Sequence, residues 1–229
     1  DQALAVNNPA GNANILELST SNSSGRINCS RTLSNTLNTT SYIEWGEPGA
    51  QGTGDLRFGT SASSNNPTER LRIDSNGRLL VNHTSGLAPG SFSAKLSIED
   101  VNSAASLSIT RNSANNGAPV LLFGKSRGTS VGANTIVQDN DQLGEIRFYG
   151  ADGTDRESFA ALIKAEVDGT PGANDMPGCL IFSTTADGAV ASSERMRISS
   201  GGYMGINKTN PDQEIDIKAI DQDATIRLT

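Results

Sequence analysis

Apolar residues come in twos and threes along this chain, separated by Ser, Thr, Asn, Gly and Asp, and where a pattern is legible it is the alternation of a strand. Three stretches share one form: GDLRF from Gly54 to Phe58, GEIRF from Gly144 to Phe148 and GCLIF from Gly178 to Phe182. Strand side chains alternate, so in the first of these Leu56 and Phe58 fall on one face, Asp55 and Arg57 on the other. RESFAALIKAEV, Arg156 to Val167, carries two readings: Phe159, Leu162, Ile163 and Glu166 have helical spacing, while Ala161, Ile163, Ala165 and Val167 alternate. The turn signal DGTPG behind it and the strands around it favour the strand. With further turn signals at DSNG, SSGG and two ADG triplets, the chain predicts an all-β fold with little or no helix.

One longer phrase occurs twice. ERLRIDSNGRLLVN runs from Glu69 to Asn82, and ERMRISSGGYMGIN from Glu194 to Asn207. Each follows a G-x-L-x-F strand and precedes an alternating one, AKLSIED (Ala94 to Asp100) or QEIDIKA (Gln213 to Ala219). The same openers then return as AASLSIT and DATIRLT, so the repeat is long, roughly 100 residues, and divides the chain into 1–104, 105–222 and the start of a third unit at 223–229. Residues 1–53 match only loosely, and a chain stopping at the start of a unit reads as a segment of a longer repetitive protein. A parallel β-helix, the scaffold of a tailspike-type glycan-cleaving enzyme, predicts a period of about 20 to 25 residues instead.

Strict alternation places Glu69, Leu71 and Ile73 on one face of the phrase and Arg70 and Arg72 on the other, with Glu194, Met196, Ile198 and Arg195, Arg197 repeating the arrangement. Paired guanidiniums in a narrow β structure call for carboxylates across the strand, and Asp55 and Glu145 are suitable. The predicted arrangement is a cross-strand or cross-chain salt ladder of Asp55, Glu69, Arg70, Arg72, Glu145, Arg147, Glu194, Arg195 and Arg197; solvated arginines are the other reading. The turns need a positive φ at Gly77 and Gly202, which makes the phrase a hairpin.

Composition then asks where the core is. Only 35% of residues are hydrophobic and 4% aromatic, too few for a broad buried face in any one segment, so several identical chains sharing a narrow interior are expected to supply it. A net charge of -7 with no basic stripe argues against nucleic acid. There is no apolar run of transmembrane length, so no membrane insertion is expected. Cys29 and Cys179 lie far apart without metal-ligand spacing and read as free thiols.

Other candidates are weaker. SYIEWGEPG brings together Tyr42, Trp45, Glu44 and Glu47; the aromatic rings read as structural packing or as candidate carbohydrate contacts, whereas catalysis would need two carboxylates at a defined separation, roughly 5 to 9 Å, for which the spacing gives no support. No enzyme activity is expected. His83, the one histidine, could meet its copies around a metal on a symmetry axis, but Lys208 stands at the matching place in the second repeat. No metal or cofactor is expected. The N-x-S/T triplets at Asn22, Asn28, Asn38, Asn82 and Asn207 fit turn capping better than glycosylation.

The order G-x-I-x-F, A-x-I-K-A-E-V, G-x-L-x-F-S-T, E-R-M-R-I, G-G-Y-M-G-I-N and P-x-x-x-I-x-I, densest from Gly144 to Ile217, resembles repeats of long bacteriophage tail fibres, especially those of marine and cyanobacterial phages. In the first copy RLLVN replaces the usual G-I-N pattern, so its packing is expected to differ. The resemblance implies an elongated homotrimeric fibre of stacked strands and hairpins, located on the virion after assembly in the host cytoplasm. Its implied partners are itself, adjoining fibre segments or tail proteins, and a host-surface glycan. A bacterial adhesin stalk shares the same logic.

Overall fold

The computed structural model describes residues 14–21, 24–33, 36–46, 54–61, 66–84, 89–101 and 105–219. Among these residues the fold is all-β, with one 3-10 turn at Pro89–Ser91 and no α-helix. The chain divides into two units, Asp1–Ser108 and Ile109–Thr229.

The first unit is a seven-stranded sheet in sequence order: β1 (Asn14–Ser21), β2 (Ser24–Leu33), β3 (Thr36–Gly46), β4 (Leu56–Thr60), β5 (Thr68–Ile73), β6 (Leu79–Val81) and β7 (Leu96–Ile98). The second is a six-stranded sheet, again in sequence order: β8 (Gln142–Tyr149), β9 (Phe159–Val167), β10 (Gly178–Thr184), β11 (Ser193–Ile198), β12 (Met204–Ile206) and β13 (Ile215–Ile217). RESFAALIKAEV is therefore a strand over Phe159–Val167, antiparallel to both neighbours. Within each sheet neighbours are antiparallel except the last pair, β6 with β7 and β12 with β13, which are parallel.

The doubled phrase forms the same piece of backbone twice. In the first copy Gly77 takes φ +67 and donates its N–H to the Asp74 carbonyl at 2.8 Å; in the second, Gly202 takes φ +80 and donates to Ser199 at 2.9 Å. The side chain opening each turn also caps it. Asp74 Oδ1 accepts from the N–H of Asn76 and Arg78, both at 2.9 Å, and Ser199 Oγ accepts from Tyr203 N–H at 3.1 Å. Asn82 and Asn207, which close the phrase, both sit in the left-handed region at φ 62 and 53, an accessible conformation for asparagine. The Asn82 amide is engaged with the Glu99 carbonyl and the Asp100 carboxylate.

The copies differ where RLLVN departs from YMGIN. Leu80, opposite Arg72 in the first copy, is 1% exposed. Its counterpart opposite Arg197 is Gly205, where an added Cβ would lie 2.1 Å from the Lys208 carbonyl. The second copy folds its chain over the place that the first fills with a leucine.

One expectation about faces is corrected. A β-bulge between Phe58 and Gly59 in the β4–β5 pairing sets Phe58 against Leu71 and Gly59 against Glu69, leaving Arg70 as the extra residue. Alternation resets there, so Glu69 joins Arg72 rather than Leu71. The same bulge recurs in β10–β11, where Phe182 faces Met196, Ser183 faces Glu194, and Arg195 is the extra residue.

Candidate functional site: the charged face of the sheets

Across the first sheet the strands set Arg26 opposite Glu44, Glu44 opposite Arg57 and Arg57 opposite Arg72. Asp55 and Glu69, on the same face, complete a set of three cations and three anions. Arg72 binds Asp55 at 2.6 Å and Glu69 through Nε and Nη2 at 2.7 and 2.8 Å, a bidentate pair. Arg57 bridges Asp55 at 3.3 Å and Glu44 at 3.6 Å, and Arg26 reaches Glu44 at 3.7 Å. Asp55 is 5% exposed and also accepts the Ser75 N–H at 3.2 Å, tying the turn of the hairpin to β4.

Arg70, the bulge residue, stands outside this cluster and bonds to Asn82 at 3.4 Å; Arg195 likewise bonds to Thr184 at 3.1 Å. The expectation that both arginines of each pair share one charged face thus gives way to one inward and one outward arginine. The cluster also recruits Arg26, Glu44 and Arg57. No pattern within the phrase points to these three, because the registers of β2, β3 and β4 set the pairing. Glu44 is a structural anion here, and Glu47 lies outside the described residues.

In the second sheet the row is cut in two. Ile181, 2% exposed, faces both Lys164 and Arg197, the place that Arg57 takes in the first sheet. On one side Glu145 pairs with Arg147 along β8, and Lys164 pairs with Glu166 along β9. On the other, Glu194 and Arg197 form a bidentate pair at 2.7 and 2.8 Å, matching Glu69 and Arg72. Cys179, 5% exposed, occupies the strand position of Asp55, and burial raises its thiol pKa.

The clamping carboxylate comes from elsewhere in this copy. Asp168, at the end of β9, accepts the Ser200 N–H at 2.7 Å, as Asp55 accepts that of Ser75. That backbone hydrogen bond is the main cause holding the Asp168 carboxyl below its usual pKa; burial opposes it, and the Ser200 hydroxyl and Arg197 charge assist. A carboxylate lowered on folding stabilises the fold above its unfolded pKa of about 3.9 and loses that contribution as pH falls through the lower folded value. Asp168→Asn should therefore lower the unfolding midpoint at pH 7, with the gap from the parent closing below pH ~4. A constant gap from pH 7 to pH 2 in a denaturation series would exclude the carboxylate as its source.

The two arginines of the second phrase give a sharper comparison. Arg197→Ala leaves Glu194 without its bidentate partner and is expected to cost about 1–2 kcal/mol, whereas Arg195→Ala should change stability by less than ~0.5 kcal/mol. Equal shifts in urea midpoint would sink the division between inward and outward arginines.

The other face carries apolar residues that stay largely exposed. Ile43, Trp45 and Ile73 in the first sheet, and Ile146, Phe148, Leu180 and Ile198 in the second, are between 37% and 51% exposed. Both sheets therefore bury charge and display hydrocarbon. Tyr42 belongs to the buried side: it is 8% exposed, Arg26 Cζ lies 3.9 Å from its ring centroid, and its ring covers Gly59 so closely that a Cβ there would lie 2.1 Å from Cε1. No ring face remains for a sugar, which corrects its reading as a carbohydrate contact; Trp45 keeps an exposed ring at 43%. His83 lies 3.9 Å from Glu99, and among the described residues no group of three potential metal ligands occurs.

No protein-family model and no curated protein matches the chain in sequence. Solved structures do match its fold. The carboxy-terminal domain of the bacteriophage T5 L-shaped tail fibre aligns over 100% of this chain and 99% of that one, with a TM-score of 0.66 at 12% identity. The same domain with its intra-molecular chaperone domain aligns over 100% of this chain and 69% of that one, with a TM-score of 0.68 at 13% identity. This chain has the fold of a phage tail-fibre domain.

Proposed function

We propose that the chain is a structural segment of a homotrimeric phage tail fibre on the virion, in which three copies share an interior made from their apolar sheet faces. The observation that carries this is the inversion of both sheets. A contiguous apolar face in water forfeits about 25 cal/mol for each Å² it could bury, and soluble monomers seldom leave one bare. Charged residues of the opposite face pair with one another within the chain, so the apolar face is the one left for a partner. The repeated arrangement extends this to both units: Ile73 and Ile198, at matching places in the two phrases, are 40% and 37% exposed. A second copy presents two such faces at the same separation along its chain, which an unrelated partner does not.

In this reading the two units are successive fibre repeats, and the protein supplies reach and stiffness rather than catalysis. Adjoining fibre segments or tail proteins are its other partners. Trp45 lies on the face given to neighbouring chains, so no glycan platform is assigned to it. The particle is elongated. Light scattering should give three times the single-chain mass of 23.9 kDa, and small-angle scattering a radius of gyration well above the roughly 26 Å of a compact particle of three such chains. A monomeric mass refutes the assembly; a trimer that is compact refutes the fibre.

A further inference from the structure

Between Arg111 and Lys125 the chain carries no charge, and it ends in the apolar run APVLLFG, Ala118 to Gly124. Val120, Leu121, Leu122 and Phe123 are 64%, 60%, 83% and 56% exposed, and among the described residues none of their backbone groups forms a hydrogen bond. An apolar run with a full set of free N–H and C=O groups is an unfinished strand. It crosses the apolar face of the second sheet at Gly144, where Phe123 packs so closely that an added Cβ would lie 2.7 Å from its own Cβ. Beside that crossing lies an open groove of about 400 Å³, with Leu121, Phe123, Ile146, Ile163, Ala165 and Leu180 among its walls.

We infer that this groove receives the 120–123 segment of a second copy, seated next to this chain's own. The inference rests on the trimeric reading and says where, within the second unit, the copies engage. Three features choose the occupant. The groove's walls are aliphatic and aromatic, with only Glu145 and Lys164 charged, so it takes hydrocarbon. The neighbouring run lacks backbone partners, and a second extended run in the same condition supplies both donors and acceptors. Each chain owns one such run and one such groove, so donated and accepted segments balance in a closed ring of any size. A small apolar molecule would fill the volume but leave the backbone groups unanswered.

The test places a photoreactive benzophenone side chain at Leu122, a site exposed enough to tolerate it, in the full chain. Illumination should join chains, giving covalent dimers and trimers on a denaturing gel, with the crosslinked peptide falling in 143–165 or 178–182. Leu122→Asp, run alongside, should raise the concentration at which the assembly dissociates by about tenfold or more, while Val131→Asp, at a fully exposed position, should not. A trimer by light scattering whose crosslinks are internal or map elsewhere overturns this inference and leaves the assembly standing. A monomer by light scattering overturns both.

Discussion

Asp55→Ala is expected to destabilise the first sheet by about 3 kcal/mol, the cost typical of removing one partner from a buried charge cluster. The substitution leaves Arg72 with Glu69 alone and Arg57 with Glu44 and a distant Glu69, and it releases the Ser75 N–H that fixes the turn. Asp55→Asn separates the two contributions, since an amide oxygen can still accept from Ser75 while the anion is gone. Arg70→Ala, in the same phrase but outside the cluster, should shift the midpoint by less than ~0.5 kcal/mol. Urea unfolding at one protein concentration measures all three, because assembly makes apparent stability concentration-dependent. If Asp55→Ala behaves like Arg70→Ala, the cluster contributes nothing beyond solvated surface charge.

The second copy makes a specific demand on the same idea. Its strand position equivalent to Asp55 is Cys179, yet the turn is still held by a carboxylate, that of Asp168 from the end of the preceding strand. A restored aspartate at Cys179 would face Asp168 and Glu166 in a buried place, and Cys179→Asp should destabilise despite copying the first repeat. What is retained between the copies is a negative charge against the turn, not a residue at a fixed position.

That substitution also marks the limit of what the sequence discloses. The G-x-(L/I)-x-F strands, the strand Phe159–Val167, both hairpins, both turn glycines and a strand after each hairpin follow from short-range patterns: alternation, Gly after Asx or Ser, and the repeated order of phrases. The parallel pairing of that last strand, and strands β1 and β2, are not legible there. The bulges at Arg70 and Arg195 do not, because an inserted residue is invisible until two strands are placed side by side, and one such residue reverses every assignment of face beyond it. The same holds for Arg26 and Glu44, which join the cluster only through the registers of β2 with β3 and β3 with β4. The burial of Tyr42 is likewise absent from its local sequence, Ser41-Tyr42-Ile43. Its ring is buried because the facing residue is Gly59, and a glycine in a strand leaves a hollow that an aromatic side chain across the ladder can fill.

Ile73→Asp together with Ile198→Asp should abolish assembly. In an isolated chain these positions are 40% and 37% exposed, and a polar replacement at a half-open site ordinarily changes stability by no more than ~1 kcal/mol. If three copies close over the apolar faces, the same replacement buries six new carboxylates without counter-charges, and each unpaired charge costs several kcal/mol or forces the interface open. Neither isoleucine lines the groove beside Leu121 and Phe123, so this outcome is independent of where the 120–123 segment seats. The expected result is a single-chain mass by light scattering, with far-ultraviolet circular dichroism still showing strand. Ile→Val at both positions, which keeps the hydrocarbon, should leave the trimer intact. A doubly substituted aspartate protein that keeps three chains per particle and its parent unfolding midpoint would mean that these faces meet water, and the trimeric fibre would lose its interior.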